Sequence, residues 1–223
     1  MIESVVFDLD GVLLDSEPLW DRARRDTVDQ FGGHWPPSGT ADMQGMSSNE
    51  WAEYLQENAG IDVTPKEVID AVVDRLLGYY RANLPLLPGA PAAVRRIAAA
   101  WPLGLASSSN RPVIDTVLEL AGLADLFQVT LSSDEVPHGK PAPDVYFETA
   151  RRLSVRPSHC AAVEDSANGI RAAKAAGMRV LVIPNPHFPP SPDVLETADL
   201  VLAELDKLTV DAVRRADAPS PTT

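Results

Sequence analysis

The chain has 223 residues, of which 45% are hydrophobic, and it carries a formal net charge of −13 at pH 7. This length accommodates one large domain with a sizeable hydrophobic core, or a core with a smaller insert. The acidic balance argues against nucleic acid or an anionic membrane as a partner, because phosphate polymers would be repelled. The single cysteine excludes an internal disulfide and a cage of thiolates around a metal.

The sequence also bears on location and assembly. It contains no run approaching the roughly eighteen apolar residues of a membrane span, so we expect no membrane segment. The first apolar run begins at Ile2, which leaves no room for a signal peptide, and we expect a cytoplasmic protein. Nothing in the sequence demands an oligomer, and we expect a monomer. Arginine outnumbers lysine and alanine is abundant, which is typical of GC-rich bacterial genomes.

The first part of the chain predicts one strand followed by helices. An apolar run from Ile2 to Phe7 is typical of a buried strand. Ser47 precedes Glu50 by three residues, the spacing of a capping box at a helix start. A Gly- and Pro-rich segment, 32–46, predicts a loop before that helix. The predicted helices are about 16–31, 47–59 and 65–83.

From about residue 85, apolar runs of strand length alternate with helical stretches. This alternation predicts a parallel sheet covered by helices on both faces. The polar, Pro-rich tail from about residue 214 is expected to fray. The predicted strands are 103–107, 129–132, 160–163, 180–183 and 200–202, and the predicted helices are about 90–100, 112–122, 142–153 and 167–177.

We therefore predict an α/β fold in which a Rossmann-like parallel sheet core carries an inserted all-helical cap. The first strand belongs to the sheet, so the core comprises residues 1–15 and 85–223, and residues 16–84 form the cap. Ligands of open parallel sheets bind at the carboxyl ends of the strands. The residues that follow each strand are therefore the candidates for a functional site.

Acidic residues follow two of the predicted strands. Asp8 and Asp10 come after the first, on the same side of an extended chain with Cα atoms about 6.6 Å apart, and Gly11 permits a sharp turn. Glu164 and Asp165 end the fourth. Either pair alone is weak evidence, because aspartate is common in turns and caps. Together they would repel one another without a cation, and ligation by oxygen alone favours Mg²⁺.

Two further strand ends carry groups suited to a phosphate. Ser107, Ser108 and Ser109 follow the second strand, just before a helix that begins after Asn110. Hydroxyls and free N–H groups at a helix N-terminus bind anions, although capping alone needs only one such residue. Lys140 follows the third strand between a glycine and a proline, and its charge can neutralise a phosphate. The four strand ends together predict a phosphate site with its metal.

The segments that carry these groups resemble the four signature motifs of the haloacid dehalogenase (HAD) superfamily. They are FDLDGVLLDSE, LASSSN, GKPAPD and VEDSANGI, in the order and spacing of the branch with a small helical cap after the first motif. The resemblance covers essentially the whole chain. DSEPLWDRA and LLPG are also similar to segments of hexitol-phosphate and 2-deoxyglucose-6-phosphate phosphatases.

The resemblance implies a role for each matched acid. Asp8 would be the nucleophile that forms an aspartyl-phosphate, and Asp10 would be the general acid and base. Mg²⁺ would bind the Asp8 carboxylate, the Asp10 backbone carbonyl and Asp165, with Glu164 supporting this shell.

The resemblance also implies the groups that hold the substrate. Ser107, the backbone N–H of Ser108 and Lys140 would bind the phosphoryl group of a small phosphorylated metabolite. Specificity would lie in the cap, since leaving groups project toward it in this family. The cap candidates are Glu17, Trp20, Met46, Ser47 and Ser48.

The expected function is Mg²⁺-dependent hydrolysis of a small phosphomonoester such as a sugar or polyol phosphate. The alternative is a phosphosugar mutase of the β-phosphoglucomutase type, whose members carry histidine where Trp20 stands and arginine where Ser48 stands. Ser48 cannot grip a second phosphate by charge, which favours the phosphatase. Asp10 disfavours a dehalogenase or a phosphonate-cleaving enzyme, because those chemistries lack this acid. A catalytically silent binding domain is unsupported, since every motif residue is intact.

Overall fold

The structure of the chain is a computed structural model that describes residues 1–43, 46–186 and 189–217. Part of two predicted segments falls outside these ranges. Residues 44–45 belong to the predicted loop, and residues 218–223 belong to the tail that we expected to fray.

The chain divides into two compact units. One, the sheet unit, combines Met1–Asp15 with Leu86–Thr223, and the other, the helical unit, is Ser16–Pro85. The function of the helical unit as a cap stays a prediction. Among the residues that the structure describes, none of the helices combines the length and apolar character that a bilayer crossing requires.

The helical unit is built on its longest helix. Two other helices pack against this long helix, α4 (Pro65–Ala82), and its buried side chains include Val72, Leu76 and Tyr80. Capping boxes start two of the helices, at Ser47 as predicted and at Thr64. The predicted loop before Ser47 contains one short helix. The helices are α1 (Glu17–Gln30), α2 (Gly39–Asp42), α3 (Ser48–Asn58) and α4 (Pro65–Ala82).

Within the described part of the chain, the sheet unit contains six parallel strands in the order β3-β2-β1-β4-β5-β6. This confirms the predicted parallel sheet, and the first strand lies in its middle with every residue buried. The strands are β1 (Ser4–Phe7), β2 (Leu103–Ser107), β3 (Phe127–Ser132), β4 (Cys160–Glu164), β5 (Arg179–Val182) and β6 (Leu200–Val201).

Helices of the sheet unit bury their apolar faces against these strands. One core cluster joins Val6, Ala106 and Ala162 of the sheet to Tyr146 and Ile170 of two helices. The helices are α5 (Ala90–Ala98), α6 (Arg111–Leu120), α7 (Asp144–Arg152), α8 (Ala167–Ala175), α9 (Pro192–Leu195) and α10 (Val210–Ala216).

The prediction that the tail frays from about residue 214 is wrong for residues 214–216. They form the last turn of α10, whose first turn is capped by the Thr209 hydroxyl accepting the N–H of Ala212. Ala212, Val213 and Ala216 are buried. The helix is held because these small apolar side chains pack into the unit, which outweighs the polar composition of the segment.

The Asp199 side chain connects α8 and the start of β5 to the start of β6 through hydrogen bonds. Its carboxylate accepts hydrogen bonds from Lys174 Nζ at 2.5 Å, Arg179 Nη1 at 3.0 Å and the Val180 N–H at 2.7 Å. Burial alone would raise the pKa of Asp199, but the bonds from Lys174 and Val180 outweigh it and the pKa is lowered. The ionised carboxylate therefore stabilises this edge of the sheet.

We expect Asp199→Asn to lower the free energy of unfolding by about 1–3 kcal/mol at pH 7, because three hydrogen-bond donors, two of them charged, lose a charged acceptor. The folded-state pKa lies below the unfolded one, so this contribution is complete above the unfolded pKa and disappears as the pH falls through the folded pKa. The difference between wild type and variant should shrink from pH 7 towards pH 3 in urea titrations. Asp125→Asn, at an exposed position, is the control, and it should leave the free energy of unfolding at pH 7 nearly unchanged.

Candidate active site

The register of the sheet brings the predicted motif residues to one edge. Phe7 of β1 is level with Leu105 of β2 and Val163 of β4. Asp8 follows Phe7 directly and donates its backbone N–H to the Val163 carbonyl at 3.0 Å. Glu164, the last residue of β4, therefore lies beside Asp8 at the carboxyl ends of the strands.

Lys140 joins two of the acids at this edge. It lies in the loop before α7, and its Nζ is 2.8 Å from Asp8 Oδ1 and 2.6 Å from Glu164 Oε1. The lysine side chain is only 4% exposed and its ammonium lies 5.0 Å from the centre of the Tyr146 ring. The bond from Lys140 to Pro141 is cis. A buried cation thus neutralises part of the charge of two buried carboxylates.

Both oxygens of the Glu164 carboxylate accept hydrogen bonds from the protein. Oε1 accepts from the Tyr146 hydroxyl at 2.6 Å as well as from Lys140, and Oε2 accepts from the Asp165 N–H at 3.2 Å and the Ser166 hydroxyl at 3.3 Å. A Cβ atom at Gly169 would lie 1.9 Å from Oε1, so a glycine is required there. Glu164 is therefore held rigidly by its neighbours.

Three buried carboxylates converge at the strand ends. One oxygen from each of Asp8, Glu164 and Asp165 lies within 4.8 Å of the other two. The backbone of Gly11 approaches Asp165 so closely that a Cβ there would lie 1.9 Å from Asp165 Oδ2. Gly11 also has a positive φ of 76°, which favours glycine. The glycine in the turn after β1 therefore leaves the space that the Asp165 carboxylate occupies.

The charges of this cluster are incompletely balanced. Burial raises the pKa of Asp8 to about 7 against the opposing charge of Lys140, and Glu164 and Asp10 raise it further. Burial also raises the pKa of Asp165 well above its ordinary value, with Glu164 and Asp8 as further causes. A divalent cation beside these groups would favour their ionised forms, because it supplies the missing positive charge.

The serines and Asp10 form a second group at the same edge. Asp10 Oδ2 accepts a hydrogen bond from the Ser109 hydroxyl at 2.6 Å, and Ser107 Oγ accepts the Ser109 N–H at 2.9 Å. Ser107 and Ser109 are buried, whereas Ser108 is exposed. Within the described residues, the Asp10 side chain is not part of the three-carboxylate cluster.

Two of the predicted cap candidates surround a buried arginine in the helical unit. The Arg24 guanidinium lies 5.3 Å from the Trp20 ring centre and 5.2 Å from that of Trp51, and it is 3.7 Å from Glu17 Oε1. Trp20 is 6% exposed, and 34% of the Glu17 side chain is exposed. Trp20 thus contributes to the core of this unit, and Glu17 is the more accessible of the two.

The other three cap candidates lie at the start of α3. Ser47 is the N-cap, and its hydroxyl accepts the Glu50 N–H at 3.4 Å while its own N–H bonds to Glu50 Oε2 at 2.7 Å. Ser48 is 5% exposed, and Met46 is partly exposed. The structure explains Ser47 as a helix cap, and the contribution of these residues to specificity stays a prediction.

The sequence model of the haloacid dehalogenase-like hydrolase family matches residues 2–177. The chain belongs to this family. It is 36% identical to hexitol phosphatase B of Escherichia coli K12 over 93% of this chain and 95% of that protein. Within this family, the chain is a phosphomonoester hydrolase, the class of enzyme to which hexitol phosphatase B belongs.

Solved structures of this family have the same fold. CbbY from Rhodobacter sphaeroides, in complex with phosphate, superposes with a TM-score of 0.87 at 26% identity, covering 96% of this chain and all of that one. A β-phosphoglucomutase from Clostridium difficile superposes with a TM-score of 0.80 at 22% identity, covering 97% of each chain. The predicted α/β HAD fold is thus confirmed.

The sequence analysis gave no individual role to three side chains of the site. Ser109 had a signal, because helix capping does not need a third serine. Ser166 directly follows two motif acids but matches an ordinary N-cap, which it also is, accepting the Gly169 N–H at 3.1 Å. Tyr146 had no signal, since a tyrosine inside α7 is typical of a core position.

We expect Lys140→Met to lower the free energy of unfolding of this HAD protein by about 3–5 kcal/mol, because it leaves buried Asp8 and Glu164 without their cation. Lys207→Met is the matched control. This lysine is 63% exposed and 3.5 Å from Glu204, so its loss should change stability by no more than about 0.5 kcal/mol. Urea unfolding without added metal measures both variants, and equal losses would contradict the assigned role of Lys140.

Proposed function

We propose that the chain is a Mg²⁺-dependent phosphatase that hydrolyses a small phosphomonoester through an aspartyl-phosphate on Asp8. The observation that carries this proposal is the buried ion pair of Lys140 with Asp8 and Glu164, set beside Asp165 at the carboxyl ends of the strands. Phosphoryl transfer depends mainly on positioning and on neutralising charge, and this arrangement provides both.

Asp8 is the proposed nucleophile. Lys140 donates to Asp8 Oδ1 and thereby orients the carboxylate. A carboxylate oxygen of Asp8 attacks phosphorus, and the bond from phosphorus to the leaving alcohol oxygen breaks. The same lysine is placed to offset the negative charge of the phosphoryl oxygens.

Asp10 is the proposed general acid and base. In the first step it gives a proton to the leaving alkoxide, which departs as the alcohol. In the second step it takes a proton from water, whose oxygen attacks phosphorus and releases phosphate from Asp8. Its position two residues after Asp8, on a chain that turns at Gly11, supports a role beside the nucleophile.

The phosphoryl group is proposed to bind at the end of β2 and the start of α6. Ser107 offers a hydroxyl and Ser108 a backbone N–H just before the first turn of α6, where the ends of helices favour anions. Lys140 completes the set from the neighbouring loop. Each of these roles agrees with the one that the sequence resemblance implies.

The residues at this edge fit a magnesium ion. The clustered carboxylates of Asp8 and Asp165 offer oxygen ligands, and Gly11 leaves room for Asp165. The backbone carbonyl of Asp10 is the further oxygen ligand that the resemblance implies. Glu164 has donors on both oxygens, which favours the supporting role that we predicted for it. When bound, Mg²⁺ would supply positive charge that reduces the repulsion between the nucleophile and the phosphoryl group.

A sugar or polyol phosphate is the proposed substrate class. It rests on the similarity to hexitol phosphatase B, which covers nearly the whole of both chains. The cap candidates Glu17, Trp20, Met46, Ser47 and Ser48 remain the proposed specificity residues. Ser48 brings no positive charge for a second phosphate, which supports a monophosphate rather than the bisphosphate of a mutase.

We expect phosphate release from one or a few members of a panel of hexose and hexitol phosphates with Mg²⁺, and none with EDTA. Asp8→Asn should abolish release, because an amide is no nucleophile for this reaction. The panel should include β-glucose 1-phosphate, with its products checked for glucose 6-phosphate. Conversion to the 6-phosphate without release of phosphate would establish the mutase and overturn the proposed hydrolysis.

We expect Gly11→Ala to weaken Mg²⁺ binding at least about tenfold, because the new Cβ would displace the Asp165 carboxylate. Gly177→Ala is a matched control, since Gly177 has a φ of 79°, close to that of Gly11, but a Cβ there would meet no other atom within 4 Å. Both variants bear the same backbone strain. Calorimetric titration with Mg²⁺ measures the effect, and equal weakening in the two variants would contradict the assignment of Asp165.

A further inference from the structure

We infer that Ser109 is a positioning residue that sets the orientation of Asp10 and of Ser107 for phosphoryl transfer. This inference rests on the proposed function. The hydroxyl of Ser109 holds the acid and base of the reaction, and its backbone N–H holds the hydroxyl that binds the phosphoryl group. One buried residue thereby links the two ends of the bond that breaks.

The contact with Asp10 is short and partly buried. Ser109 Oγ lies 2.6 Å from Asp10 Oδ2, in the range of hydroxyl-to-carboxylate bonds, and Ser109 is only 4% exposed. A serine hydroxyl donates to a carboxylate and accepts from a carboxylic acid. Ser109 can therefore hold the Asp10 side chain in both protonation states that the two proposed steps require.

The contact with Ser107 limits the directions in which that hydroxyl can donate its proton. Ser107 Oγ accepts the Ser109 N–H at 2.9 Å. A hydroxyl has one proton to donate and two lone pairs that accept. Because a lone pair of Ser107 is engaged by Ser109, its proton is directed away from that N–H, as donation to a phosphoryl oxygen requires.

Ser109 is itself held by the neighbouring strand. Ser132 lies opposite Ser107 in the pairing of β2 with β3, and its hydroxyl donates to the Ser109 carbonyl at 2.7 Å. The N–H, the hydroxyl and the carbonyl of Ser109 thus all have partners in the sheet unit. This arrangement fixes the backbone at Ser109 independently of its hydroxyl.

Substitution of Ser109 by alanine removes only the contact with Asp10. Alanine keeps the N–H that orients Ser107 and the carbonyl that Ser132 holds. A poorly placed acid slows the departure of an alkoxide, which needs a proton, but barely affects p-nitrophenolate, which departs without one. The two kinds of leaving group therefore separate loss of acid positioning from general damage to the site.

We expect Ser109→Ala to lower kcat/KM for a hexitol phosphate about 10–100-fold, part of the contribution of a general acid. For p-nitrophenyl phosphate, kcat/KM should fall no more than about threefold. This parameter covers only the steps through departure of the leaving group. Ser109→Thr restores a hydroxyl and should recover most of the lost activity with the hexitol phosphate.

Ser4→Ala is the matched control, a serine-to-alanine change at a buried position whose hydroxyl donates to Cys160 Sγ at the start of β1, the end of the strand opposite to Asp8. It should keep the ratio of the two kcat/KM values close to that of the wild type. Thermal melting of every variant identifies any loss of folding, and Ser109→Thr keeps the test decisive if the alanine variant is unstable.

Equal losses of kcat/KM with both substrates in Ser109→Ala would overturn the inference, since they would indicate general damage to the site. Undiminished activity with the hexitol phosphate would overturn it as well. Failure of the proposed function has a different signature, because the wild type itself would then hydrolyse neither substrate in the presence of Mg²⁺.

Discussion

The site depends on one constraint: three carboxylates are buried at the end of a parallel sheet beside a single buried lysine. Burial of like charges is costly, and the raised pKa of Asp8 and of Asp165 expresses that cost. The protein offsets this cost with the Lys140 ammonium and with hydrogen-bond donors to both oxygens of Glu164, and it has glycines where the backbone closely approaches a carboxylate. The same imbalance of charge supports the proposed binding of a divalent cation at this edge.

The sheet brings segments that are distant in the sequence together at this one edge. β1 lies between β2 and β4, and their level register places Asp8 beside Glu164 although 156 positions separate them in the chain. Motifs on rigid strands hold their groups more accurately than long loops do, and transfer of a phosphoryl group requires such accuracy. The helical unit, in contrast, is stabilised by its own core and by its capping boxes.

The strand ends were predictable because each motif combines a strand signal with polar residues that no surface turn requires. Asp8, Lys140, Glu164 and Asp165 therefore meet as expected. The sequence indicated the role of Ser109 only in part. A third serine favours an anion site, but it does not predict a contact with Asp10. The tail was misjudged, since composition does not reveal that Ala212 and Ala216 pack into the core.

The amino-acid sequence alone was enough to predict the fold class, the family and the candidate groups of the site, because strand and helix periods and the four motifs are local properties of the chain. The three-dimensional structure was needed to show that Tyr146 and Ser166 hold Glu164, that Gly11 makes room for Asp165, and that the hydroxyl of Ser109 reaches Asp10. The physical reason is that these are contacts of specific atoms between segments far apart in the chain or across a turn. Their distances depend on strand register and side-chain packing, neither of which a local pattern encodes.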